Sequence, residues 1–142
     1  MTVEQNKQVV GRYYSEVLNE GRTDLLSELA LTDYVEHDPL PGQGDGRDDF
    51  VARVELLRSA FAPLRFTVED VIAEGDRVVV RWSSTGRHTG EFVGIPPTDR
   101  EYTISGIDIH RLDDGRMAEH WHVVDQLSQL QQLGLFPVAS GS

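Results

Sequence analysis

An α+β domain is predicted, in which N-terminal helices pack on a curved antiparallel sheet and leave a cone-shaped pocket. Three observations predict it. Apolar residues recur at helical spacing up to about residue 61, the period changes to alternation after Pro63, and Asp113-Asp114-Gly115-Arg116 is a strong hairpin signal. Helices first and strands afterwards exclude a run of parallel βαβ units. An antiparallel sheet with helices on one side can curl around a cavity.

Val9, Val10, Tyr13, Tyr14, Val17 and Leu18 form the apolar stripe of a helix over residues 3–20, and Gly21 suits the left-handed position that ends it. Thr23 or Asp24 caps a second helix carrying Leu25, Leu26 and Leu29. Pro39 to Gly46 is rich in proline and glycine and reads as a loop. A third helix runs from Arg47 to Phe61, with Phe50, Val54, Leu57 and Phe61 inward, and Pro63 ends it. Phe66, Val68, Val71, Val78, Val80 and Trp82 belong to strands joined by a Glu74-Gly75-Asp76 turn. Tyr102 to Leu112 and Met117 to Asp125 are the arms of the hairpin, and Gln126 to Leu133 is a closing helix. One domain over residues 1–142 is expected, with a core from about 6 to 134 and a frayed tail at 139–142.

The composition is 39% hydrophobic and 26% charged, ordinary for a globular chain of 142 residues. A formal net charge of -11 repels phosphate backbones and anionic lipid, so neither a nucleic acid nor a membrane is an expected partner. The chain has no cysteine, which excludes disulfides, thiolate nucleophiles and thiolate metal sites. The opening residues MTVEQNKQ lack a basic segment followed by an apolar one, and a cytoplasmic location is the expectation. Gly-x-Ser-x-Gly, Walker-type and Gly-x-Gly-x-x-Gly motifs are missing.

Side-chain directions in the hairpin follow from its turn. With Asp114-Gly115 as a two-residue turn and no irregularity, His110 faces Glu119, Asp108 faces Trp121 and Ile104 faces Asp125. One sheet face then collects Asp108, His110, Glu119, Trp121 and Asp125, and the other holds Ile107, Ile109, His120 and His122. The first set is the better acid–base candidate, with Trp121 as an apolar wall that raises carboxylate pKa values. A single bulge would exchange the sets beyond it. His120 and His122 share a face and could bind one metal, but no carboxylate plainly completes the set, so no metal is expected. His37 precedes the Pro-rich loop at a potential pocket mouth, His88 opens a Gly- and Pro-rich segment, and Tyr13 or Tyr14 could present a hydroxyl to the cavity. These four are the substrate-binding candidates, together with Trp121.

The series Gly86-Arg87-His88-Thr89-Gly90-Glu91-x-x-Gly94-Ile95-x-Pro97-Thr98, then Ile107 to Arg111, Asp114-Gly115-Arg116-Met117 and Gln131-Gln132-Leu133-Gly134, resembles the SnoaL-like polyketide cyclases of the nuclear transport factor 2-like superfamily. The resemblance runs from about Asn6 to Gly134. It implies a curved-sheet cone with a deep apolar pocket, a homodimer or higher homo-oligomer joined through the outer face of the sheet, and no cofactor. It also implies an aspartate general acid/base on the final strand, helped by a histidine on the strand before it. Carried over, the first role falls on His122 and the second on Asp108, so the two residue types are exchanged. Asp125 matches an acidic position near the strand end, and His88 the histidine of the Gly-rich run.

For His122 and Asp108 to cooperate, the final strand needs a bulge between Gly115 and His122. The expected chemistry is proton transfer on a carbonyl-bearing apolar molecule, a cyclisation or isomerisation through an enolate. His122 is the base if it faces inward, with Asp108 fixing its tautomer. If it faces outward, Asp125 or Asp108 is the base and His110 or His88 the donor. The alternative is a non-catalytic binding or dimerisation domain of the same fold; a cofactor-independent hydroxylase is a third possibility.

Overall fold

The computed structural model describes residues 1–137; the tail expected at 139–142 lies outside the described residues. Helix α1 (Val3–Arg12) starts at a capping box, in which Thr2 accepts from the Gln5 amide and Gln5 returns a bond to the Thr2 amide. It continues as a wider π-helical turn over Tyr13–Leu18 that buries Tyr13, Tyr14, Val17 and Leu18 together. A 3₁₀ turn (Thr23–Leu25) leads into the short helix α2 (Leu26–Leu29), and neither Thr23 nor Asp24 makes the expected cap. Helix α3 (Arg47–Ala60) presents Phe50 and Val54 to the core.

Five strands form one open sheet: β1 (Ala30–Glu36), β2 (Arg65–Glu74), β3 (Arg77–Arg87), β4 (Glu101–Asp113) and β5 (Arg116–Val124), in the order β1-β5-β4-β3-β2. Helix α4 (Gln126–Gln132) follows β5. The sheet is mixed where a purely antiparallel one was expected, because β1 runs parallel to β5. Strand β1 is not announced by alternation: Thr32 and Asp33 are both exposed between buried Ala30 and Tyr34. The long pair β3–β4 keeps unbroken register from Arg77↔Arg111 to Arg87↔Glu101 and supplies the regular inward face of Val78, Val80, Trp82 and Ser84. On the edge strand β2, the pairing with β3 slips at Glu69.

The turn at Asp114-Gly115 forms as expected, both residues having positive φ (49° and 77°). Register then departs from the simple count. Leu112 pairs with Met117, but Arg111 pairs with Glu119, so Ala118 is an extra residue. Beyond this bulge His110 faces His120, Ile109 faces Trp121 and Asp108 faces His122. The helices cover the resulting inward face, and the core is built from Tyr14, Val17, Leu18, Leu26, Leu29, Phe50, Val54 and Phe61 against Val78, Val80, Leu112 and Met117.

Ala118 can be tested directly. Deleting it restores one-for-one pairing and leaves Arg111 opposite Glu119 and His110 opposite His120, so His120 and His122 stay inward. The expected outcome is a folded protein that loses no more than about 3 kcal/mol, the ordinary range for a single change, read from chemical denaturation. A larger loss, of the size expected when buried charges are unpaired, would refute this account of the register.

Candidate active site

A cavity of about 550 Å³ opens between the helices and the concave face of the sheet. Its apolar wall comes from Leu57, Phe61, Leu64, Phe66, Trp82 and Phe92, and its polar end from Arg53, Asp108, His120 and His122. Each polar group comes from a different constraint on the chain. Asp108 lies on the inward row of β4, the bulge turns His120 and His122 inward on β5, Glu36 ends β1, and Arg53 shares the apolar stripe of α3 with Phe50 and Leu57.

These groups form a continuous hydrogen-bonded chain. Arg53 Nη1 donates to Glu36 Oε1 at 2.5 Å, and Glu36 accepts from His120 Nδ1 at 2.7 and 2.9 Å. His120 Nε2 donates to Asp108 Oδ1 at 3.0 Å, and the Tyr14 hydroxyl donates to Asp108 Oδ2. His110 Nε2, behind Tyr14, donates to the Tyr14 oxygen at 2.8 Å. His122 Nδ1 lies 3.3 Å from Arg53 Nη2 and 3.8 Å from Asp108 Oδ1, and the amide of His122 donates to Asp38 Oδ2.

The surroundings divide the histidines into two kinds. Burial alone would lower His120, but its bonds to Asp108 and Glu36 reverse this and hold the imidazole above its ordinary value, as a cation between two carboxylates. Burial works against the Asp108 carboxylate too, but the bond from His120, the neighbouring histidines and Tyr14 hold Asp108 well below the usual carboxylate range. His110 goes the other way: burial, then the His120 charge, lower it to about 3, and it stays neutral. His122 is lowered by burial and by the Arg53 and His120 charges. One neutral imidazole therefore faces the cavity beside a buried cation.

Asp108, His120 and His122 each bring a ligand atom within 4.8 Å of the others, a spacing that would suit a metal ion. Arg53 already places a positive charge against His122 Nδ1, and His120 is committed to two carboxylates.

Several expected positions need correction. Asp125 caps α4, accepting from the Ser128 amide at 3.2 Å, and is exposed. His110 is buried behind Tyr14, bonded to its hydroxyl and stacked on His120 at 5.0 Å, and does not line the cavity. The Tyr14 hydroxyl is consumed by Asp108 and His110, whereas Tyr13 does line the cavity. His88 is wholly buried against Phe61, with Nδ1 accepting from the Thr98 amide at 3.2 Å; it ties down the Gly-rich segment and is not part of the cavity wall. Trp121 is on the outer face, stacked at 4.4 Å on His37 and covered by Arg77. His37 lines the cavity mouth as expected, bonded to Glu119 at 3.0 Å. Glu36, Arg53 and Trp82 were not among the expected site residues. An arginine at an inward position of an amphipathic helix is the signal that reveals one of them, because it demands a buried anion.

The charge chain predicts a pH-dependent stability. Asp108, lowered on folding, contributes above its unfolded value of about 3.9 and loses that contribution as pH falls through its folded value. His120, raised on folding, contributes fully below about 6.5 and loses that contribution as pH rises through its folded value. His120→Ala should cost about 3–5 kcal/mol by removing the cation beside buried Asp108 and leaving Glu36 with Arg53 alone. His120→Gln should flatten the decline in Tm above about pH 6.5, checked by thermal melts across pH.

The SnoaL-like polyketide cyclase family model matches residues 8–133. The chain is 33% identical over 125 residues to aklanonic acid methyl ester cyclase DauD of Streptomyces sp. (strain C5), a match covering 84% of this chain and 76% of that one. It is 34% identical over 118 residues to nogalonic acid methyl ester cyclase of Streptomyces nogalater, covering 82% and 88%. The structure of TsrD from Streptomyces laurentii superposes with a TM-score of 0.87 at 29% identity, covering 96% of this chain and 99% of that one. Sequence and fold agree, and the chain belongs to the SnoaL-like polyketide cyclase family.

Proposed function

We propose that the protein closes a ring in a polyketide ester by a cofactor-independent intramolecular aldol reaction, with His122 as the base. The observation that carries this reading is the neutral His122 imidazole on the cavity wall, next to the Arg53 and His120 cations. The ester cyclases to which the chain is similar add support.

Arg53 Nη2 donates to His122 Nδ1, so the neutral imidazole carries its proton on Nε2 and its lone pair on Nδ1, 3.8 Å from Asp108 Oδ1. With Arg53 turned to the substrate carbonyl, His122 Nδ1 removes a proton from the carbon alpha to it, and the developing enolate oxygen is stabilised by Arg53 and the His120 charge. The enolate carbon attacks a second carbonyl of the same molecule, forming a carbon–carbon bond. The resulting alkoxide takes the proton back from His122. No proton or electron is gained or lost overall. Asp108 holds the imidazole and its positive charge during the step, the exchanged form of the family's histidine-assisted aspartate.

Lowering of His122 puts the acidic limb of kcat/KM below about pH 6.5, with rate falling tenfold per pH unit beneath it. His122→Gln should lower kcat by about 10²–10⁴-fold and abolish that limb, measured with an aromatic polyketide methyl ester. A limb that survives the substitution would make another group the base. Binding of the ester with no turnover by the unaltered protein would favour a non-catalytic binding domain.

The outer sheet face supports a second part of the reading, a homodimer. Ile72, Val79, Ile109 and Trp121 lie in one cross-strand row, and Ile107 pairs with Val123 beside it. Ile72, Ile107 and Val123 are 68%, 46% and 76% exposed, an apolar patch that a second copy would cover. The double substitution Ile107→Lys with Val123→Glu should yield monomers in sedimentation velocity, whereas the unaltered chain should sediment as a dimer.

A further inference from the structure

An intramolecular aldol reaction develops negative charge on two oxygens in turn. Arg53 and the His120 charge serve the enolate oxygen. The attacked carbonyl, whose oxygen becomes an alkoxide as the ring closes, needs a donor of its own. One uncommitted hydroxyl faces the cavity. Tyr13 lines the wall and is 6% exposed. The hydroxyl of its neighbour Tyr14 is taken by Asp108 and His110, whereas the Tyr13 hydroxyl has no hydrogen-bond partner among the described residues. It is not sealed from solvent as the unpartnered Trp82 Nε1 is, so it opens on the cavity. A nearly buried donor left free is costly and calls for a reason.

The fold holds this group in place. Tyr13 and Tyr14 are consecutive on the π-helical turn, whose wider winding buries both side chains. The Tyr13 ring is packed edge-on against Tyr14 at 5.0 Å, Phe50 at 5.3 Å and His110 at 5.8 Å. Phe50 and Arg53 are three residues apart on α3 and share a face, so a ring seated on Phe50 stands beside the path of the guanidinium. Burial raises the Tyr13 phenol above its ordinary value, and Arg53, the charge that acts on it most strongly, only partly offsets this. Tyr13 therefore keeps its proton at neutral pH. It is a fixed, neutral donor.

We propose that Tyr13 is a second catalytic residue, whose hydroxyl donates a hydrogen bond to the oxygen of the carbonyl that the enolate attacks. This deepens the ring-closing reading and rests on it. The enolate carbon forms the new carbon–carbon bond, the π pair of the attacked carbonyl moves onto its oxygen, and the Tyr13 O–H steadies the charge that appears there. The proton that His122 removed then passes to that oxygen, and Tyr13 keeps its own. Atoms and electrons balance within the one substrate molecule. His122 governs proton removal, and Tyr13 governs bond formation.

Tyr13→Phe keeps the ring and removes only the hydroxyl. With an aromatic polyketide methyl ester that carries a ketone, it should lower kcat for ring closure about 10²–10³-fold, as loss of one oxyanion donor does, and leave KM nearly unchanged. In heavy water the variant should still wash deuterium into the alpha position of the recovered open ester, faster than without protein, read by mass spectrometry. His122→Gln should neither exchange that proton nor close the ring. The Tm of Tyr13→Phe should hold, because the hydroxyl has no protein partner, whereas Tyr14→Phe takes a bond from Asp108 and should melt lower. An undiminished kcat, loss of exchange together with closure, or a Tm that falls as far as that of Tyr14→Phe would overturn the proposal and leave His122 as the base. An unaltered protein that neither exchanges the proton nor closes the ring would overturn both readings.

Discussion

Two histidines separated by one residue on a strand must share a face, and here the choice of face depends on a single unpaired residue. Ala118 shifts the phase of β5 after Met117, so that His120 and His122 join Asp108 and His110 inside while Glu119 and Trp121 go outside. Without that shift the carboxylate and the imidazoles would be on opposite sides of the sheet. Strand β1 then adds Glu36 from the parallel side, at the level of His120. Helix α3 adds Arg53 from above.

The chain of Arg53, Glu36, His120 and Asp108 alternates in charge, which is the condition for keeping four ionised groups out of water. Its main effect on His122 is indirect. Two cations nearby discourage a third, so this imidazole stays unprotonated at neutral pH and is available to accept a proton. His110 and Tyr14 lie behind Asp108 and hold it from the rear. The arrangement separates a charged imidazole, His120, from a neutral one, His122, although both residues come from one strand.

Much of the architecture could be read from apolar spacing: α1, α3, the β3–β4 region, the Asp114-Gly115 turn and α4 all announce themselves. Strand β1 does not, because it is irregular against β5 and pairs in parallel with a strand far along the chain. At the site, Asp108 and His122 could be named, and the need for a bulge between Gly115 and His122 followed from the family resemblance. The position of the bulge could not be read, because Ala118 looks like any small strand residue until its pairing is known. Asp125 misleads for a physical reason: a carboxylate just after a strand and before a helix serves equally well as an N-cap. Glu36 and Arg53 become visible only as partners of each other, across distant parts of the sequence.

The slip at Glu69 has a different bearing, on how copies of the molecule can meet. The free border of β2 presents unpaired backbone groups, and a straight border of that kind invites another strand to extend the sheet without limit. An extra residue twists it away from that template, and the acidic side chain of Glu69 repels its own kind in a neighbouring copy. For the homodimer proposed above, this favours the broad outer surface over the rim, and contact there is self-limiting.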